Sequence, residues 1–156
     1  MKNVVVTGLG IVSCIGSNVQ KTLESLKKGR SGISKNSTYE EMGFRSHVSG
    51  SININLSELI DRKILRFMSE ASGFGFLAAQ EALLNASINL EEMTTERVGI
   101  VAGSGGASSA AQIEASDIAR ARGPKRIGPY AVTKTMGSTV SAILGTTLKL
   151  QGVNYS

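Results

Sequence analysis

Two short β-branched runs closed by glycine, VVVTGLG at residues 4–10 and VGIVAG at 98–103, flank a stretch in which Ile64, Met68, Ala71, Gly75, Ala78 and Ala82 recur at spacings of three and four. Continuous apolar runs bounded by glycine predict strands buried on both faces, and the three-and-four spacing predicts one helix over residues 63–85 with a single apolar stripe. Strand, helix and strand in alternation select an α/β architecture in one domain, residues 1–156. The small residues of the stripe let a neighbouring backbone approach closely, although Gly73 and Gly75 each cost about 1 kcal/mol of helix propensity relative to Ala.

The remaining chain fits this frame. A first strand is expected at 3–7, and Ser17 or Asn18 caps a helix that runs to about residue 28 and is stopped by Gly29. Residues 30–57 are polar and interrupted, with alternating pieces such as SININL that form a minor strand or a long surface excursion. An Ala/Ser-rich helix is expected at 107–121 and a further small-residue helix at 133–149. Between them RGPKRIGPY carries both prolines and reads as a loop. After Gly152, VNYS begins another strand, so the expected sheet is incomplete at the C-terminal end of this sequence.

Composition narrows the function. With 41% hydrophobic and 19% charged residues the chain is an ordinary globular one, and no apolar run approaches the roughly 18 residues of a membrane span. The opening KNVVVTG lacks the long apolar region of a leader, so the expected compartment is the cytoplasm. Cys14 is the single cysteine, which precludes an internal disulfide, and no His/Cys cluster has metal-ligand spacing, so no metal is expected. A formal charge of +5 calls for an acidic partner. Nucleic acid is the weaker choice, since no Trp and only three Tyr and four Phe leave few stacking platforms.

The opening glycines invite a nucleotide-binding reading that their surroundings do not support. Gly8, Gly10 and Ser13 approximate the dinucleotide fingerprint, but no second β-branched strand ends in an acid some 20 residues on, and the helix cap at Ser17 or Asn18 lies too far from Gly10. AGSGGASS at 102–109 has glycines without the lysine of a phosphate-binding loop. These glycines read instead as close-packing positions. Cys14, between apolar Val12 and Ile15, reads as an inert packing thiol, and His47, in a polar segment, as a surface or capping residue.

Several longer motifs occur together and in order: VVVTGLGIVSCIG, GRSGI, RSHVSG, LIDRKILRFMSEAS, RVGIVAGSGG, GPYAVTKTM and GVNYS. On these the chain resembles the type I β-ketoacyl-acyl carrier protein synthases of bacterial fatty-acid synthesis over its whole length. The resemblance implies the N-terminal half of a thiolase-like layered fold, a mixed sheet with flanking helices. It implies a homodimeric enzyme that elongates acyl chains by decarboxylative Claisen condensation with malonyl-acyl carrier protein. Substrates arrive on the phosphopantetheine of the carrier protein, and no cofactor is implied. The family's nucleophilic cysteine, histidines and lysine lie beyond GVNYS, so no catalytic residue is expected within these 156 positions.

The resemblance also assigns surfaces. Arg62, Lys63 and Arg66 gather at the expected start of the long helix, where cations oppose the macrodipole, and they match basic positions that hold the acidic helix of acyl carrier protein. Arg120, Arg122, Lys125 and Arg126 form a second cluster around the proline loop; bordering the first, it would complete a basic rim. Ala107 resembles a position where side-chain size sets the length of the acyl tunnel, and Met136 one that reaches the partner subunit's tunnel; by residue type alone both fit core packing equally well. Two other readings stay open: a non-catalytic module that binds acyl carrier protein, and an NAD-binding half-domain of an oxidoreductase.

Overall fold

Local chemistry starts and stops the first helix. In the computed structural model, which describes residues 3–106 and 108–156, the Asn18 side chain accepts the Lys21 N–H at 2.8 Å and opens α1 (Val19–Lys27). Gly29, at φ 60°, turns the chain out of it. The polar segment that follows is a surface hairpin. Strand β1 (Ile33–Lys35) pairs antiparallel with β2 (Val48–Gly50), Ser34 opposite Ser49, around the short helix α2 (Ser37–Glu41). The minor strand is therefore VSG, and SININL is not a strand.

The helix expected over 63–85 is two helices. After α3 (Leu56–Leu59) comes α4 (Arg62–Leu65), a single turn capped by Asp61. The long helix α5 (Glu70–Ala86) starts only at its own cap, Ser69. The backbone of Ser69 is extended, its carbonyl accepts the Ser72 hydroxyl at 2.9 Å, and its own hydroxyl faces the Ser72 N–H at 3.4 Å. A serine that offers the backbone a cap ends one helix and begins the next, while the apolar spacing runs on across the break.

Beyond α5 come α6 (Leu90–Met93), β3 (Ile100–Val101), α7 (Ser109–Arg122) and a 3-10 turn (Pro124–Arg126). The small-residue helix expected at 133–149 is also divided, into α8 (Ala131–Thr135) and α9 (Thr139–Thr147), with extended backbone at Met136 between them. GVNYS supplies β4 (Asn154–Tyr155), parallel to β3 with Ile100 opposite Asn154. Both pairing senses expected of a mixed sheet are present, in two separate two-stranded sheets among the described residues.

The core lies between α5 and α9. Ile60, Met68, Phe76, Ile143 and Leu144 are buried together, and Ile100 packs against them from β3. Its neighbour Val101 points the other way and is 78% exposed, so β3 is not buried on both faces. No helix of the described residues is long and apolar enough to cross a membrane.

The opening run departs furthest from expectation. Residues 3–7 are not a strand, and Val4 is 95% exposed. No strand of the described residues pairs with this segment, so its backbone turns to the side chains of α5. Leu9 N–H donates to Asn85 Oδ1, and Ile11 N–H to Glu81 Oε2, each at 3.0 Å. The other Glu81 oxygen accepts Val19 N–H, the first residue of α1, at 2.8 Å. One carboxylate thus ties the opening segment and the α1 N-terminus to α5. Glu81→Ala removes two hydrogen bonds to a charged acceptor and is expected to destabilise the protein by about 2–3 kcal/mol in chemical denaturation. A change within about 0.5 kcal/mol, the range of an ordinary surface substitution, would contradict this role.

Candidate functional site

Five of the seven basic residues singled out in the sequence flank or occupy two short helical turns. On α4 the Asp61 carboxylate accepts the Lys63 N–H at 2.6 Å, which fixes the turn and leaves the Arg62 and Lys63 side chains exposed. With only one turn of helix here, the macrodipole penalty expected of a long helix does not arise. Arg66 caps α4 at its C-terminus and its Nε donates to the Lys63 carbonyl at 3.1 Å. The second cluster lies where α7 gives way to the 3-10 turn: Arg120 and Arg122 in the last turn of α7, then Lys125 and Arg126, all exposed. The Lys35–Glu40 pair is the one salt bridge among the described residues, so none of these cations is neutralised by a neighbour.

Two aromatic residues join the clusters. Phe67 meets Tyr130 edge to face, centroids 5.0 Å apart at 85°, and the Arg66 guanidinium carbon lies 5.1 Å from the first ring and 5.4 Å from the second. Tyr130 is four residues after Arg126, no more than about 14 Å of extended chain. Arg66 therefore borders the loop that carries the second cluster.

Beside α4 opens an apolar pocket of about 350 Å³, lined by Ile64, Phe67, Met136, Ala142 and Ile143 together with Lys63. Met136 is 50% exposed and contributes to the pocket wall, so the core-packing alternative does not hold for it. Ala107 lies outside the described residues. Phe67, Tyr130 and the threonines of the pocket, Thr133 and Thr139 among them, escaped the sequence reading. The signal was present for Phe67, an aromatic beside a cation in a chain with few aromatics.

The remaining candidates lie elsewhere. Cys14 is exposed rather than packed in the core, and its sulfur abuts the hairpin, close to where a side chain at Gly32 or Gly50 would project. It is exposed because the opening run it follows is itself not a buried strand. His47 is exposed, its carbonyl accepting the Asn36 N–H at 2.7 Å, as a surface residue should be. The two side chains share no hydrogen bond among the described residues. Gly8 and Gly10 face the carbonyls of Ala82 and Ala78 on α5 with no room for a β-carbon, so they face a helix flank and not a helix N-terminus that would receive a phosphate.

The chain is similar to known proteins in sequence and in fold. The chain is 48% identical over 157 residues to 3-oxoacyl-[acyl-carrier-protein] synthase 1 of Haemophilus influenzae, covering all of this chain and 39% of that protein. It superposes on a β-ketoacyl synthase from Burkholderia phymatum with a TM-score of 0.84 at 22% identity, covering 99% of this chain and 39% of the other. A ketosynthase solved with its type II PKS acyl-carrier protein, AntDE:AntF, matches with a TM-score of 0.75 at 20% identity over 97% of this chain and 40% of that one. The chain spans about two fifths of the length of these proteins. The chain therefore has the N-terminal portion of the thiolase-like layered fold of these two structures. A model of the β-ketoacyl synthase N-terminal domain matches residues 1–156 from end to end, and the chain belongs to that family.

Proposed function

We propose that this chain is the N-terminal part of a condensing enzyme of fatty-acid synthesis, and that its share of the work is to dock acyl carrier protein and to wall the acyl channel. In the reaction an acyl group rests as a thioester on a cysteine of the whole enzyme, and malonyl-acyl carrier protein loses CO₂. The resulting carbanion attacks the acyl carbonyl, expels the cysteine thiolate and leaves a β-ketoacyl chain on the carrier. No cofactor enters this scheme. Acyl groups arrive on the carrier's phosphopantetheine, and the working enzyme is a homodimer.

The observation that carries the proposal is the junction of an unneutralised basic rim with an apolar pocket, Lys63 belonging to both. An acidic carrier held at the rim delivers its acyl chain beside a surface that can accept it. Arg62, Lys63, Arg66, Arg122, Lys125 and Arg126 are the docking residues in this reading, and Met136 and Ala107 border the acyl chain. The relative from Haemophilus influenzae is named for the same reaction, and AntDE is a ketosynthase that binds its carrier protein.

Nucleophilic catalysis needs a thiol and a base within hydrogen-bond reach. Cys14 and His47, the single residues of their types in this sequence, share no hydrogen bond among the described residues, an observation that a non-catalytic carrier-binding module also fits. An elongation assay separates the two. The full-length protein is expected to form β-ketoacyl-acyl carrier protein from acyl and malonyl carriers, whereas residues 1–156 alone form none. Product from residues 1–156 would place catalysis where this reading has none, and an inactive full-length protein that still binds the carrier would favour the module.

A further inference from the structure

The six proposed docking cations are not equivalent. Arg62, Lys63, Arg122, Lys125 and Arg126 have exposed side chains with no hydrogen-bond, ion-pair or aromatic partner among the described residues. Arg66 is held three ways: its Nε by the Lys63 carbonyl at 3.1 Å, and the guanidinium carbon by the Phe67 ring at 5.1 Å and the Tyr130 ring at 5.4 Å. The two rings brace each other edge to face, and both are half-buried. Phe67 sits on the flank of α4, whereas Tyr130 comes from the proline loop.

We infer that Tyr130, acting with Phe67, is a positioning residue for Arg66, holding its guanidinium in one orientation with both Nη groups turned to an anionic partner. The inference rests on the docking reading above and assigns a role within it. An arginine fork recognises a carboxylate or phosphate through paired N–H groups, which requires a fixed plane. A free side chain loses rotamer freedom when it binds; one already held by two rings and a carbonyl has lost it beforehand. Because Nε is committed to Lys63, the Nη groups remain as donors, and no acceptor among the described residues engages them. The Tyr130 hydroxyl makes no hydrogen bond among the described residues, so the ring face is the working part of that side chain. Arg66 therefore supplies direction to the rim, and the other cations supply long-range attraction.

A double-mutant cycle read by equilibrium binding of acyl carrier protein to the full-length protein tests this. Arg66→Ala is expected to weaken binding about tenfold. Tyr130→Leu, with Arg66 present, is expected to weaken it about three- to fivefold, and Tyr130→Phe to restore wild-type affinity. In the Arg66→Ala background Tyr130→Leu is expected to change nothing further, because its effect passes through the missing guanidinium. In a Lys63→Ala background its effect should persist. If Arg66→Ala leaves binding unchanged, the docking reading fails. If Arg66→Ala weakens binding while Tyr130→Leu does not, or if Tyr130→Leu acts equally with and without Arg66, docking stands and the positioning role is overturned.

Discussion

Gly10→Ala is expected to lower the stability of the protein by about 3 kcal/mol or more, the upper end for overpacking, because the new methyl has nowhere to go. A β-carbon on Gly10 falls on the carbonyl oxygen of Ala78, and one on Gly8 on the carbonyl of Ala82. Both obstacles are helix backbone, which cannot swing aside as a flexible side chain does. The opening segment must lift from α5, taking with it the bonds from Leu9 to Asn85 and from Ile11 to Glu81. At this chain length the loss corresponds to about 6–12 °C in Tm. Gly137→Ala is the control: a β-carbon there meets nothing within 4 Å, and the melt should move by no more than about 1–2 °C. Equal melts for the two variants would mean that the opening segment is not packed on α5.

That packing marks the limit of what the sequence could disclose. Asn18 and Gly29 bound α1 by local chemistry, a side-chain cap and a left-handed backbone, and both were legible because cap and stop lie beside the helix they serve. The close-packing role of Gly8 and Gly10 was legible as well, but not their partner. VVVTG reads as a strand whether or not another strand lies beside it, since β-branched residues report only a preference for extended backbone. The break at Ser69 was hidden by the stripe, because Met68 and Ala71 keep helical spacing across it and a serine is compatible with either outcome. The basic residues were legible one by one. The meeting of Arg66 with the proline loop was not, for it depends on a contact between Phe67 and Tyr130, residues far apart in the chain, and neither was the pocket shared by α4, α8 and α9.

The second large effect concerns the rim. Reversing charge at Lys63 and Arg66 together replaces two attractions for an acidic carrier by two repulsions, at positions where Asp61 offers no compensation because its carboxylate already caps α4. Like charges brought together across an interface cost several kcal/mol when desolvated and less at an exposed rim. Exposed as these two are, the expected loss is about hundredfold in affinity, about 2.7 kcal/mol at 25 °C. Much of it should appear in the association rate, which the rim accelerates by steering. Wild-type binding should weaken with added salt as the Debye length shrinks from about 10 Å at 0.1 M toward about 3 Å at 1 M, while binding by the variant, whose four remaining cations are partly offset by two new carboxylates, should weaken less. Neither side chain belongs to the core, so the melt should stay within about 2 °C of wild type.

The most direct measurement is therefore an equilibrium titration of acyl carrier protein into the full-length protein and its Lys63→Glu, Arg66→Glu variant at low salt, with melts recorded on the same samples. The account predicts a Kd about a hundredfold higher for a variant that melts like the wild type. An unchanged Kd would contradict it and reduce the basic rim to solvated surface.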